Sequence, residues 1–161
     1  MSAENRSDIL VVGVGNISLS DEGAASRILH RITGRVPPGV EVMDAGLAGP
    51  GLLELIEGKR KVIIVDAVDA GRPPGTVFRF KPHEVVSADD GQWYSLHKGN
   101  ILLYLRLAEV LGRGPEEVVV IGVQPETVSP GDRLSTKVGK SVTKAADLVL
   151  EEIQLETPAL R

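Results

Sequence analysis

The stretch Ile9-Leu10-Val11-Val12-Gly13-Val14-Gly15-Asn16-Ile17-Ser18-Leu19-Ser20-Asp21-Glu22-Gly23 decides how the fold is read. Ile9 to Val14 is short, β-branched and almost wholly apolar, the pattern of a buried strand. Gly13 and Gly15 allow a tight turn and close backbone approach. Ser20 stands where an N-cap would, with Asp21 and Glu22 in the first helical turn. Ala25, Ile28, Leu29 and Ile32 then recur at i, i+3, i+4 and i+7, one face of a helix.

A dinucleotide fingerprint is the first chemistry to test there. G-x-G-x-x-G requires glycine at position 18, and Ser18 is present instead. The helix start that would receive a pyrophosphate carries Asp21 and Glu22, whose charge repels an anion and attracts a cation. Acidic residues in a first turn also simply complement the helix dipole, so both readings stand at this point.

Outward from this stretch, strands and helices alternate. Val40 to Asp44 reads as a second strand, followed by the glycine-rich loop 45–51 and a short helix from Leu52 to Glu57. Lys61 to Asp66 is apolar on both faces, as expected of a central strand in a parallel sheet. Thr76 to Phe80 follows too closely for a parallel crossover and is expected to run antiparallel, at an edge. Pro82 to Gln92 is polar and reads as loop. Leu96 to Leu111 reads as a helix, with Ile101, Leu105 and Ala108 on one face. Val118 to Val123 is a last buried strand, and 124–133 is a loop. Val138, Val142, Ala145, Val149 and Ile153 mark a final amphipathic helix. The expected fold is an α/β three-layer sandwich: a five-stranded, mainly parallel sheet with one antiparallel strand and helices on both faces.

The 161 residues, 42% of them hydrophobic, suffice for one packed domain over 1–161, with 1–7 and 156–161 expected to be flexible. The net charge of -4 offers no basic footprint for nucleic acid. The absence of cysteine excludes disulfides, thiolate catalysis and cysteine-ligated metal sites. Residues 1–7 lack the apolar stretch of a signal peptide, and no apolar run approaches membrane-spanning length. A cytoplasmic location is expected.

Ligands of open α/β sheets bind beyond the carboxyl ends of the strands. Three such ends are acidic here: Asp21 and Glu22 after the first strand, Asp44 after the second, and Asp66 and Asp69 after the third. Like charges at one edge repel unless a cation or a histidine joins them. Of the histidines, His30 falls inside the first helix as a surface residue, and His83 lies in a polar loop. His97 stands at a helix start, a position that often shares the edge of the strand ends. Glu22, Asp66 and His97 together make two carboxylates and an imidazole, a set that suits a borderline divalent metal with open coordination positions. There is no G-x-S-x-G elbow, no H-E-x-x-H helix and no phosphate-binding G-x-x-x-x-G-K-[ST] loop.

Several stretches together resemble the maturation endopeptidases of nickel–iron hydrogenases. They are G-V-G-N-x-x-x-x-D-E-G at 13–23, D-A-G-x-A-G at 44–49, I-I-V-D-A-V at 63–68, S-L-H-K-G-N at 95–100 and G-V-Q-P-E at 122–126, followed by L-S at 134–135. They occur in the family's order and span most of the chain. The resemblance implies that Glu22, Asp66 and His97 bind the nickel of the substrate's metal site. It implies an endopeptidase that removes the C-terminal extension of a hydrogenase large-subunit precursor once nickel is in place, without an organic cofactor and acting as a monomer. Asp44 is the candidate catalytic helper that moves protons, its other role being to cap the glycine-rich loop. Leu47 is a departure, standing where the family is expected to have threonine. Two other readings are a non-proteolytic metal-binding partner in hydrogenase assembly and a nucleotide-binding Rossmann-like module.

Overall fold

The computed structural model describes residues 8–47, 49, 51–82, 94–95 and 100–155. Its strands are β1 (Ile9–Gly13), β2 (Val40–Asp44), β3 (Lys61–Asp69), β4 (Val77–Phe80), β5 (Tyr94–Ser95) and β6 (Glu117–Val123). Its α-helices are α1 (Ala24–Ile32), α2 (Gly51–Ile56), α3 (Asn100–Val110) and α4 (Thr136–Gln154). The main sheet runs β2-β1-β3-β6-β4, with β4 antiparallel to β6 and the other pairings along it parallel. The five-stranded, mainly parallel sheet and its antiparallel edge strand therefore stand as expected. The two-residue β5 is an addition, pairing antiparallel with Val68 and Asp69 at the end of β3. The expected loop over 83–92, His83, and both chain ends, 1–7 and 156–161, lie outside the described residues.

Strand alternation sorts the core into two layers. Val11 of β1 and Ile63 and Val65 of β3 pack with Ile28, Leu29 and Ile32 of α1 and with Val142, Ala145 and Val149 of α4. Leu10 and Val12 of β1 and Val62 and Ile64 of β3 face the other way, onto Leu52 and Ile56 of α2 and Ile101, Leu105 and Ala108 of α3. Gly13 shows why a glycine ends β1. A Cβ there would come within 2.5 Å of Leu29 Cδ1, so any side chain would lift α1 off the sheet.

At the amino ends of the parallel strands, Lys61 is buried and ion-paired. Its Nζ lies 2.7 Å from Glu152 Oε1, and Arg79 Nε lies 2.7 Å from Glu152 Oε2. Burial alone would raise the Glu152 pKa, but the hydrogen bonds and charges of Arg79 and Lys61 hold it below the usual range. This pairing ties α4 to β3 and β4, at the edge opposite the acidic strand ends.

Candidate functional site

The chain leaves β1 for β2 on one side and returns to β3 on the other. The crevice that an open α/β sheet offers a ligand is expected beyond the carboxyl ends of β1 and β3, where the strand order reverses. Backbone hydrogen bonds align its walls. Val14 N donates to Val65 O at 3.0 Å, Ala45 N to Gly13 O at 2.8 Å, and Gly15 N to Gly46 O at 2.8 Å. The first and second glycine loops are thus joined directly, with Asp44 level with Gly13 across the β1–β2 pair.

Two buried carboxylates belong to elements near this edge, Glu22 to the turn after the first loop and Asp66 to β3, three residues before that strand ends. Glu22 sits in a 3-10 turn, Ser20–Gly23, that precedes α1 and packs against β3. It is 6% exposed. Burial raises its pKa, and a hydrogen bond from the Asn16 backbone offsets this only in part. Asp66 is 2% exposed and shares the strand face of Val62 and Ile64, so it looks toward the layer of α2 and α3. Next to it in register are Gly122 and then Phe78. A Cβ on Gly122 would meet the Phe78 ring at 2.8 Å, so glycine lets that ring lie across β6 beside Asp66. Gly15 plays the matching part on the other wall. A Cβ there would run into the carbonyl oxygen of Glu22, so the turn closes only around glycine.

Ser20 and Asp21 do something other than open a helix. Ser20 has φ 51 and caps nothing; its hydroxyl donates to Ser129 O at 2.7 Å. Asp21 is fully buried and accepts hydrogen bonds from Glu126 N, Thr127 N and Ser135 N, and from the Ser135 hydroxyl, at 2.7–2.9 Å. Burial raises its pKa, and these four donors more than reverse that, leaving it low. Asp21 thus fastens loop 124–135 to the Glu22 turn. The same loop begins with Gln124, whose Oε1 accepts from Ala70 N at 2.8 Å and Arg72 N at 3.2 Å, and whose Nε2 donates to Asp69 Oδ1 at 3.0 Å. The mutual repulsion expected of the acidic strand ends is therefore relieved locally at Asp21 and Asp69 by hydrogen-bond donors. No local pattern marks Gln124 or Ser135 as their partners, because both contacts cross long sequence separations.

The other sequence candidates fall as follows. Asp44 is exposed, and its Oδ1 accepts from Gly46 N at 3.1 Å, an Asx turn that shapes the second glycine loop. Leu47 follows on that loop and is 65% exposed, with the exposed Ile17 on the neighbouring loop. His30 is exposed on α1, as expected. His97 lies outside the described residues, two positions after Ser95, which pairs with Val68. Among the described residues no three histidine, aspartate or glutamate side chains converge on one point. The described residues contribute the two acids.

Residues 26–152 match the family model described as hydrogenase maturation protease. Hydrogenase expression/formation protein HupD of Thiocapsa roseopersicina is 33% identical over 147 residues, 89% of this chain and 66% of its own length. Hydrogenase 2 maturation protease of Escherichia coli K12 is 32% identical over 149 residues, 91% of this chain and 90% of that protein. Among solved structures, the hydrogenase maturating endopeptidase HybD from E. coli superposes with a TM-score of 0.82 at 31% identity, covering 91% of this chain and 92% of that one. The nucleotide-binding reading finds no support in these likenesses, and the buried Asp21 and Glu22 occupy the turn where a pyrophosphate would sit. By the matched model and by this degree of identity over most of its length, the chain belongs to the hydrogenase maturation protease family, a family of peptidases.

Proposed function

We propose that this peptidase removes the C-terminal extension of a nickel–iron hydrogenase large-subunit precursor, and that it reads the nickel already bound in that precursor. The observation that carries the reading is the burial of two acids, Glu22 and Asp66, on elements that meet near the switch point of the sheet. Two buried carboxylates supply hard oxygen donors to a divalent cation brought by the substrate. His97 completes the donor set; it follows Ser95 by two residues, and Ser95 pairs two positions beyond Asp66. Two carboxylates and one imidazole leave coordination positions for ligands the precursor supplies, so the free peptidase holds nickel only weakly. The substrate's nickel polarises the scissile carbonyl or a water, and Asp44, one strand over at the same edge, helps move the proton. The exposed Ile17 and Leu47 lie on the two loops that frame the approach and offer apolar contact to the extension. The reaction takes place in the cytoplasm, on the precursor after its nickel is inserted.

The test is precursor processing followed on a gel, with nickel-loaded and nickel-free precursor. The wild-type chain is expected to cleave only the loaded form. Glu22→Gln, Asp66→Asn and His97→Ala are each expected to lower that cleavage at least a hundredfold, on the order of the loss when a positioned charge is removed from a reacting centre. Equal cleavage of nickel-free precursor by the wild type would end the metal-reading idea. Loaded precursor that binds but stays uncut would favour a non-proteolytic assembly role.

A further inference from the structure

On the α1/α4 side of the sheet a pocket of about 360 Å³ is lined by Arg27, His30 and Arg31 of α1, Arg133 and Leu134 of the adjoining loop, and Val142 of α4. Arg27 and Arg31 stand one helical turn apart and point the same way. The three guanidinium groups are exposed, and none makes an ion pair or hydrogen bond with the described residues. Of the other exposed cations, Arg35, Arg113 and Lys137 have acidic partners at 3.5–3.7 Å, while Arg106, Lys140 and Lys144 have none among the described residues. Asp132 is the acid nearest in sequence to this group, adjacent to Arg133. In a chain of net charge -4, three arginines with no acidic partner among the described residues, gathered around one concavity, are a local reversal of the overall field.

The lining is not uniformly polar. Leu134 and Val142 give an apolar floor, and a Cβ at Gly139 would meet open space, so the pocket is roomy there. Guanidinium forks over an apolar floor suit a carboxylate held beside an apolar side chain, which is the chemistry of an acidic peptide. A nucleic-acid strand would call for an extended basic track and aromatic platforms, and this patch has neither. The pocket is also fastened to the catalytic edge. Arg133 and Leu134 run directly into Ser135, which donates through both N and Oγ to Asp21, the neighbour of Glu22. Arg27 follows Glu22 by five residues.

We propose that this pocket is a docking site for an acidic, partly apolar segment of the protein substrate, remote from the bond that is cut. The proposal rests on the reading of the chain as a precursor-processing peptidase. Docking there raises the local concentration of the scissile segment at the crevice without touching the chemistry. Charge attraction at such a site acts on encounter and is weakened by salt.

The test uses the full chain and the triple variant Arg27→Gln/Arg31→Gln/Arg133→Gln, with circular dichroism to confirm that both fold alike. The first arm measures fluorescence anisotropy with a labelled peptide of alternating glutamate and leucine, and with its glutamine–leucine counterpart. Wild type is expected to prefer the glutamate peptide, and the triple variant to lose about tenfold, the sum of three partly solvated ion pairs. Equal binding of both peptides, or displacement of the glutamate peptide by inorganic phosphate at the same concentration as by unlabelled peptide, overturns the proposal. The second arm measures precursor processing. The triple variant is expected to raise KM about tenfold with kcat unchanged, and to flatten the salt dependence of KM. An unchanged KM overturns the proposal while leaving the peptidase reading intact. If the wild type processes no precursor at all, the peptidase reading falls and the docking of that substrate falls with it, whatever the peptides do.

Discussion

A buried carboxylate whose pKa is raised opposes folding whenever it is ionised, and Glu22, in its 3-10 turn, is in that position. Its folded pKa is raised by burial above the ordinary 4.5. Below that value both the folded and unfolded states are protonated and the residue costs nothing. As pH rises the unfolded chain ionises first, stability falls, and the loss is complete above the folded pKa. Glu22→Gln keeps an oxygen for the Asn16 backbone hydrogen bond and removes the charge. It is therefore expected to raise the Tm at pH 7, and the gain should disappear when the melt is repeated below pH 4.5. A stabilising change that abolishes processing marks a residue kept for chemistry at the expense of stability. Gly15 is subject to the opposite rule. Gly15→Ala drives a methyl group into the Glu22 carbonyl, and urea unfolding should show a loss of about 1–3 kcal/mol, as overpacking does.

At the level of strands and helices, the apolar periodicities were a reliable guide, because each element is specified by its own face. Val138, Val142, Ala145, Val149 and Ile153 are all buried on α4, and Ile101, Leu105 and Ala108 on α3. The short 70–76 connection forces β4 to run antiparallel, which the spacing alone required. Of the two acids expected at strand ends, both are buried, but Glu22 lies in the 3-10 turn and Asp66 lies inside β3, which continues to Asp69 because its apolar alternation runs on through Ala67 and Val68. The work of Asp21 and Gln124 was not legible, since their partners are Ser135 and Thr127 for the one and Ala70 and Arg72 for the other. A 3-10 turn in place of a capped helix start was equally hidden. Its cause is Ser20, held at φ 51 by hydrogen bonds to Gly131 O and Ser129 O far along the chain. The buried Lys61–Glu152 pair is another contact between remote elements, and it yields a prediction at this scale. Lys61→Met leaves Glu152 buried with Arg79 alone, and should cost about 3–5 kcal/mol in urea unfolding, as removal of one partner of a buried pair does. Lys61→Met combined with Glu152→Leu should recover much of that loss, because the replaced pair no longer has to be desolvated.

For the molecule as a whole, these local terms add up to a pH profile. Asp21, Asp69 and Glu152 have lowered pKa values in the folded state, and Glu22 has a raised one. Asp69 is exposed and screened by water, so its share is small. A lowered carboxylate stabilises the fold above its unfolded pKa and loses that stabilisation as pH falls through the folded value. Glu22 works the other way, becoming less unfavourable in acid. The two strongly buried, hydrogen-bonded groups outnumber it, so the unfolded chain takes up more protons than the folded one on acidification. Each such excess proton tilts stability by about 1.4 kcal/mol per pH unit. The urea midpoint is therefore expected to hold near neutrality and to drop below about pH 4, where free aspartate and glutamate titrate. Asp21 should account for a recognisable part of that drop, because four donors converge on its two oxygens and tie loop 124–135 to the Glu22 turn. Asn at this position offers one oxygen and sets an NH2 against the donors that faced the other. Asp21→Asn should thus lower the midpoint markedly at pH 7, and its own midpoint should fall less on acidification. The difference between wild type and variant is expected to narrow as pH drops below 3.8, the ordinary aspartate value. A difference that stays constant from pH 7 to pH 3 would assign the effect of Asp21 to shape rather than charge.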